Sequence, residues 1–437
     1  MKKTVAFHTL GCKVNQAESE SMKRLFREHG YEVVDFTAPA DVIVINTCTV
    51  THLADRKSRQ AIRQARRRNP RAVVAVVGCY AQTAPEKVEA ISGVDVLVGT
   101  RKRRDIVDLV EEAAREKRLI NAVGDIRGAT EFEQLPLDFS SRTRAFLKIQ
   151  EGCNQYCTYC IIPYARGPIR SLSPEGVREA VELYVQRGYK EVVLTGIHLG
   201  LYGADLPGEI NLARLLERIV TVPGLERLRL SSLEPLEVTD ELLQVMAQRP
   251  QICPHLHIPL QSGSDHILKK MNRPYTAAEF SQRVERAWEL IPDLGLSTDV
   301  IVGFPGERPE DFSATYDLVR SLGFSRLHVF PYSPRRGTPA AAFKEQVSPQ
   351  IKEERVHSLV ALGRELALAF HRRYLGRTLP VLVEHDRDRD TGLLAGYTGN
   401  YIRVLLAGAD TLMGEIVPVT IRAAGEDGCE GILAVGE

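Results

Sequence analysis

Short apolar, β-branched runs alternate with amphipathic stretches through about the first hundred residues of the chain. The runs at 5–10, 42–46, 72–77 and 94–98 read as strands. Each leads into a helical pattern, the last into a helix over 103–117. Asn15, with Glu18 three residues on, matches the start of a capped helix. Alternation of this kind predicts an α/β domain with an open parallel sheet covered by helices.

Six further strand candidates follow at 145–149, 191–195, 227–231, 255–260, 296–302 and 326–331. Helical patterns lie between them, such as 173–187, where Pro174 suits a first helical position, and 308–322. Six such units predict a partial (β/α)6 barrel, with its site at the carboxyl ends of the strands. Near the end of the chain the character changes again. Runs at 379–384, 401–406 and 415–421 are short and β-type, separated by Gly and Asp turns, and predict a small β-barrel. Three folded regions suit 437 residues at about 150 per domain.

Hydrophobic residues make up 44% of the chain, enough for substantial cores. No run approaches the ~18 apolar residues of a membrane span, so no membrane association is expected. The apolar stretch at the start is short, contains His8, and leads into a polar helix pattern, unlike a secretory signal. Eight cysteines are too few for a disulfide scaffold in a chain this long, and exposed thiolates need a reducing compartment. A cytoplasmic location is therefore expected.

The formal net charge of +1 conceals an uneven distribution. Residues 1–117 carry 21 Lys and Arg against 15 Asp and Glu, whereas residues 374–437 carry 5 against 10. Arg56, Arg59, Arg63, Arg66 and Arg67 recur at helical spacing, and 101–104 adds a second basic cluster. Such stripes attract nucleic-acid phosphates, although many are simply solvated helix faces.

Two sets of cysteines carry the chemistry. Cys153, Cys157 and Cys160 form a C-x3-C-x2-C run with no fourth cysteine close behind and the nearest downstream histidine at His198. A structural zinc site is normally closed by four ligands. Three thiolates instead hold three corners of a 4Fe–4S cube and leave one iron open to a small molecule. Cys12, Cys48 and Cys79 each stand just after a predicted strand. Ligands in open α/β sheets gather outside the carboxyl ends of strands, so these three thiols are expected to converge on a second cluster. The plain alternative is three small buried hydrophobes. Cys253 and Cys429 fit neither set. His255 and His257, at alternate positions of one strand, suit a metal pair or, more simply, barrel-lining side chains.

The run Glu151-Gly152-Cys153-Asn154-Gln155-Tyr156-Cys157-Thr158-Tyr159-Cys160, with Tyr159 before the third cysteine, resembles the signature of the radical S-adenosylmethionine (radical SAM) enzymes. Thr9-Leu10-Gly11-Cys12-Lys13-Val14-Asn15-Gln16 with Glu18 and Ser19, Ile45-Asn46-Thr47-Cys48, and Val77-Gly78-Cys79-Tyr80-Ala81-Gln82 resemble the amino-terminal domain of the methylthiotransferases. The resemblance runs the whole length of the chain. It implies a methylthiotransferase domain at 1–117, a linker at 118–138, a radical SAM core at 139–371 and an RNA-binding TRAM barrel at 374–437. It implies two 4Fe–4S clusters, one on Cys12, Cys48 and Cys79, the other, catalytic, on Cys153, Cys157 and Cys160.

Strand-end groups are the matching candidates for S-adenosylmethionine: Tyr159, Thr195, Gly196, His198, Gln261, Ser262, Asp299 and Tyr332. Each is equally readable as a turn or cap residue. The segment after the sixth strand also carries Arg335, Arg336 and Gly337. In the implied reaction, one S-adenosylmethionine methylates a sulfur and a second is split to a 5′-deoxyadenosyl radical that attacks the substrate base. Thr9 to Asn15 and Leu147 to Cys153 look most like the branch that modifies threonylcarbamoyladenosine beside the anticodon of tRNA. The isopentenyladenosine branch and the branch acting on a ribosomal-protein aspartate are the alternatives within the family. An iron–sulfur redox sensor that binds RNA and a zinc-stabilised tRNA-binding protein are alternatives outside it. Partners implied are tRNA, a flavodoxin- or ferredoxin-like electron donor and a sulfur source. The acidic balance of the last region departs from a cationic RNA binder, leaving Arg403, Tyr397 and Asn400 as expected contacts to exposed bases.

Overall fold

The predicted alternation of strand and helix is what a computed structural model of the chain contains, described here for residues 2–139 and 143–434. The backbone divides into two compact units. The first comprises Met1–Ser140, Lys148–Leu172 and Ser333–Ala341; the second comprises Ser141–Leu147, Ser173–Tyr332 and Ala342–Glu437. The expected boundary at 139 abuts 140–142, outside the described residues.

The first unit is built on a six-stranded sheet of β1 (Thr4–Thr9), β2 (Glu32–Val34), β3 (Val42–Thr47), β4 (Val73–Gly78), β5 (Val96–Val98) and β6 (Ile120–Asn121). The order is β2-β1-β3-β4-β5-β6, and every pair is parallel. β3 is buried along its whole length, as a central parallel strand under helices on both faces requires. Helix α1 (Lys13–Glu28) packs on one face through Met22, Leu25 and Phe26, beside Val107 and Val110 of helix Ile106–Glu116. Helix α2 (His52–Arg68) covers the other through Ala61, Ile62 and Ala65.

The sequence suggested that Asn15 and Glu18 cap a helix. The helix instead begins at Lys13, with Cys12 as its N-cap residue, and both polar side chains lie buried within it. They are drawn inward by other partners, as described below. Of the arginine stripe, Arg56, Arg63 and Arg67 are exposed on α2. Arg66 folds back onto the Gly93 carbonyl and Asp95, and Arg59 reaches the Tyr80 hydroxyl at 3.2 Å. The 118–138 stretch is tied to this unit: Glu133 pairs with Arg103, and Asp138 with Arg27.

In order along the chain come β7 (Arg144–Lys148), the antiparallel pair β8 (Gln150–Glu151) and β9 (Arg170–Ser171), then β10 (Glu191–Thr195), β11 (Arg227–Leu230), β12 (His255–His257), β13 (Gly295–Val302) and β14 (Arg326–Pro331). The barrel sheet runs β7-β10-β11 and β12-β13-β14, joined by the bridges Leu228 to Ile252 and Ser232 to His257. This is the expected partial barrel of strand-and-helix units. The strand expected over 255–260 stops at His257 because Pro259 has no N–H to give the ladder. Ser173 caps the following helix through Gly176 at 3.1 Å, with Pro174 at its first turn as expected.

The chain closes with a five-stranded barrel of β15 (Thr378–Arg387), β16 (Leu394–Thr398), β17 (Arg403–Leu406), β18 (Ile416–Ala424) and β19 (Cys429–Leu433), in the order β15-β16-β17-β19-β18. Val381, Val404, Val419 and Ile421 fill its core. It is joined to the second unit's barrel sheet by buried arginines. Arg227 donates to the carbonyls of Pro380 and Tyr397, and Arg229 to those of Thr398 and Gly399. Both guanidiniums also lie on the buried carboxylate of Glu191.

Candidate functional site

Cys12, Cys48 and Cys79 follow the carboxyl ends of β1, β3 and β4, three adjacent strands of the first unit. Gly11 makes their approach possible. Its φ of +105° suits glycine, and a Cβ there would lie 3.0 Å from the Cβ of Cys48 and 3.3 Å from its sulfur. The three sulfurs sense one another. Burial pushes the Cys79 thiol up to about 11, Arg166 pulls it back, and Cys12 and Cys48 push it further. Burial likewise raises Cys48. No disulfide joins any of the eight cysteines. Three converging soft thiolates with a cation beside them suit an iron–sulfur core in donor chemistry and in charge.

That cation is the centre of a buried network which the sequence reading missed. Arg166 donates Nε–H to the Cys79 sulfur at 3.2 Å. Its Nη1 reaches Glu18 at 2.6 Å and Glu151 at 2.8 Å, and its Nη2 reaches Asn15 at 2.6 Å. Arg103 pairs with Glu18, with Glu133 at 2.9 Å and with Glu151 at 3.3 Å. Lys148 reaches Glu151 at 2.8 Å and Glu18 at 3.3 Å. Arg103, expected in an exposed basic cluster, is fully buried. Asn15 also holds the Leu10 and Thr47 carbonyls, next to the Cys12 and Cys48 turns.

Buried charges survive only when paired, and here each carboxylate meets several cations. Burial alone would raise the Glu18 carboxyl, but Arg103, Arg166 and Lys148 together hold it down to about 2. Glu151 is held well below the usual range in the same way, chiefly by Lys148 and Arg103 against its burial. Both folded values lie below the unfolded 4.5, so the network's stabilisation is complete above about pH 4.5 and is lost as pH falls towards 2. Urea midpoints of the cluster-free protein should therefore fall steeply between about pH 5 and pH 3. A flat profile there would show that the network does not stabilise the fold.

The second trio lies in the same unit, directly after Glu151. Gly152, at φ +80°, has no room for a Cβ, which would overlap the Pro168 carbonyl. Cys153 donates its N–H to Gly167 O at 3.0 Å, and Gln155 N lies 3.4 Å from the Cys153 sulfur. Cys160 N donates to Cys157 O at 3.0 Å, closing the turn that carries the half-buried Tyr159. Cys157 is buried. The loop is fixed by backbone bonds at both ends, and its thiols are the right donor set for a cluster.

The other candidates belong to the second unit, except Tyr159, and each stands at or just beyond a strand end. Thr195 closes β10 and is buried, Gly196 follows it, and His198 is buried against the Glu237 carboxylate. Gln261 has φ +63° and extends β12 by a bridge to Val300, its N–H on Asp299 O at 2.8 Å. Ser262 contacts Thr315 at 3.3 Å. Tyr332 lies just beyond β14, its hydroxyl buried without a hydrogen-bond partner among the described residues and pushed up to about 12 by burial. Asp299 meets His257 at 3.2 Å, and His328 completes a trio of donors within 4.8 Å on β12, β13 and β14. His255 points elsewhere and lies against Tyr401, so the two histidines do not pair on one ion.

The expected base-contacting side chains of the last barrel already have partners in the second unit. Tyr397 stacks on Tyr401 and carries Arg144 over its ring. Asn400 is buried on Thr398 and the Asp293 carbonyl, and Arg403 pairs with Asp388 at 2.6 Å. No helix is long and apolar enough to cross a membrane.

Three family descriptions match the chain: an uncharacterized protein family, UPF0004, at residues 4–99, the radical SAM superfamily at 147–319 and the TRAM domain at 372–427. A threonylcarbamoyladenosine tRNA methylthiotransferase of Bacillus subtilis is 48% identical over 98% of this chain and 96% of its own length. A tRNA-2-methylthio-N(6)-dimethylallyladenosine synthase of Pelotomaculum thermopropionicum is 35% identical over 97% and 96%. Among solved structures, the radical S-adenosylmethionine methyltransferase TsrM of Kitasatospora setae, with cobalamin and a [4Fe-4S] cluster bound, aligns with TM-score 0.58 at 16% identity. That alignment covers 86% of this chain and 96% of TsrM, and it establishes a shared fold. With its converging cysteine turns, its strand-and-helix barrel and these relatives, the chain belongs to the threonylcarbamoyladenosine tRNA methylthiotransferases of the radical SAM superfamily.

Proposed function

We propose that this chain inserts a methylthio group at C2 of N6-threonylcarbamoyladenosine, beside the anticodon of tRNA. The observation that carries the choice of base is the step from 48% identity with the threonylcarbamoyladenosine enzyme to 35% with the dimethylallyladenosine synthase, both over nearly the full chain. In this reading residues 1–117 present the auxiliary-cluster thiolates, 118–138 connect, 139–371 form the radical SAM core, and 374–437 form the TRAM domain that meets tRNA. A flavodoxin- or ferredoxin-like donor and a separate sulfur source complete the reaction, in the reducing cytoplasm.

Cys153, Cys157 and Cys160 hold one 4Fe–4S cluster, and Cys12, Cys48 and Cys79 hold the other. When bound, a cluster with an open iron supplies the electron that splits the sulfonium of S-adenosylmethionine. The chain's own groups do the rest by position. Gly152 and the Cys153–Gly167 bond fix the first loop, and the burial of Cys157 keeps water from it. Arg166 directs a charged N–H at Cys79, which favours the thiolate a metal needs. Tyr159, Thr195, Gly196, His198, Gln261, Ser262, Asp299 and Tyr332 are assigned to S-adenosylmethionine. His198 is fixed for this by Glu237, and Tyr332 brings an unspent hydroxyl.

The test is nucleoside analysis of tRNA from cells lacking the gene. The methylthio form of threonylcarbamoyladenosine should vanish while its unmodified precursor accumulates. Loss of the methylthio form of isopentenyladenosine instead would overturn the choice of base.

A further inference from the structure

The segment Ser333–Ala341 belongs to the first unit and touches both cysteine loops. Ser333 accepts from His52 N at 3.3 Å, and Ala340 N donates to Thr158 O, between Cys157 and Cys160, at 2.9 Å. A turn closed by Thr338 onto the Arg335 carbonyl presents the Arg335 side chain. Its Nη2 donates to Thr49 Oγ1 at 2.6 Å and to Asp55 Oδ2 at 2.9 Å, and Thr49 in turn donates to Asp55 at 2.7 Å. Thr49 directly follows Cys48, so this guanidinium is clamped to the auxiliary-cysteine loop.

The rest of the guanidinium has no such use. Arg335 is only 7% exposed, and its Nε and Nη1 are buried with no hydrogen-bond acceptor among the described residues. Buried, charged donors are nearly always satisfied, and a native site that leaves them open is waiting for an acceptor. Asp55 and Thr49 hold the planar group by one nitrogen and leave the other two to face something else. The missing group must accept without donating. Among the molecules of the reaction proposed above, a carboxylate is the best such group, because charge-assisted N–H to carboxylate bonds are the strong ones.

We propose that Arg335 is a ligand-binding residue whose Nε and Nη1 donate to a carboxylate brought to the cysteine loops by a bound molecule. Two carboxylates suit this chemistry, that of the methionyl group of S-adenosylmethionine and that of the threonyl group on the substrate base. The choice between them rests on the proposed reaction; the site itself rests on the open donors.

The test uses the anaerobically reconstituted full chain and Arg335→Lys, which keeps a cation for Asp55 but loses both open donors. Iron content and the electron paramagnetic resonance signals of both clusters check that the variant assembles. S-adenosylmethionine binding, measured by equilibrium dialysis without tRNA, should weaken about ten- to hundredfold if its carboxylate is the ligand. If the substrate carboxylate is the ligand, that affinity stays and KM for threonylcarbamoyladenosine tRNA rises by a similar factor. An assembled variant with both constants within about twofold of the parent overturns the proposal. Loss of iron from the variant also overturns it, since Arg335 then supports a cluster rather than a ligand. Failure of the parent to modify threonylcarbamoyladenosine would overturn the proposed function but leave the dialysis result standing.

Discussion

Cys157→Ala should abolish 5′-deoxyadenosine formation by the reduced protein, whereas Cys48→Ala should keep it within about threefold of the parent and lose methylthiolation. The expectation comes from the separate anchoring of the two trios. Cys48 stands at the end of β3 in a turn shaped by Gly11 and Asn15. Cys157 belongs to a loop held by Cys153–Gly167 and Cys160–Cys157 backbone bonds. Removing one thiolate takes one of only three protein ligands from its cluster, and neither loop lends the other a replacement. Chromatography of the nucleoside products, with and without tRNA, reads both activities in one experiment. Equal loss of 5′-deoxyadenosine in the two variants would mean that the trios do not act separately.

Arg166→Met should destabilise the cluster-free protein by about 3–5 kcal/mol, the cost of leaving buried carboxylates with fewer cations. Arg166 meets Glu18, Glu151 and Asn15 at once, and all four are shielded from water. Methionine fills similar volume, so the loss reports charge rather than a cavity. The double variant Arg166→Met with Glu18→Gln should recover part of it, because one unpaired negative charge is removed with the positive one. Urea unfolding at about pH 7 measures both. A single-variant loss below about 1 kcal/mol would show that Arg103 and Lys148 suffice alone. The cluster has its own readout: without the N–H on Cys79, the auxiliary cluster should become harder to reduce, since hydrogen bonds to sulfur raise the potential.

Much of the fold was legible because burial writes period and composition directly into the chain. β3 and β4 are nearly unbroken runs of Val, Ile and Ala, which only a parallel sheet covered on both faces accommodates. The cysteine turns were legible for a related reason, since each thiol immediately follows such a run. What escaped were polar residues whose partners are remote. Glu18 and Arg166 are separated by 148 residues, and no local pattern distinguishes Glu18 from an ordinary first-turn carboxylate. Arg103 looked like one more cation among four, because sequence shows charge but not direction. Asn400 and Tyr397 misled in the opposite sense. In a barrel matched to an RNA-binding family they looked like base contacts, yet they pack against the second unit's own groups.

The carbonyls that Arg227 and Arg229 take from residues 380 and 397–399 have a bearing on how this enzyme is inherited. Shuffled modules usually meet through water and tolerate being exchanged. Here the closing barrel supplies acceptors for two interior cations, so its removal would strand them beside a lone Glu191. Such a dependency turns a recruited accessory into a permanent organ, which any recombination must carry along whole.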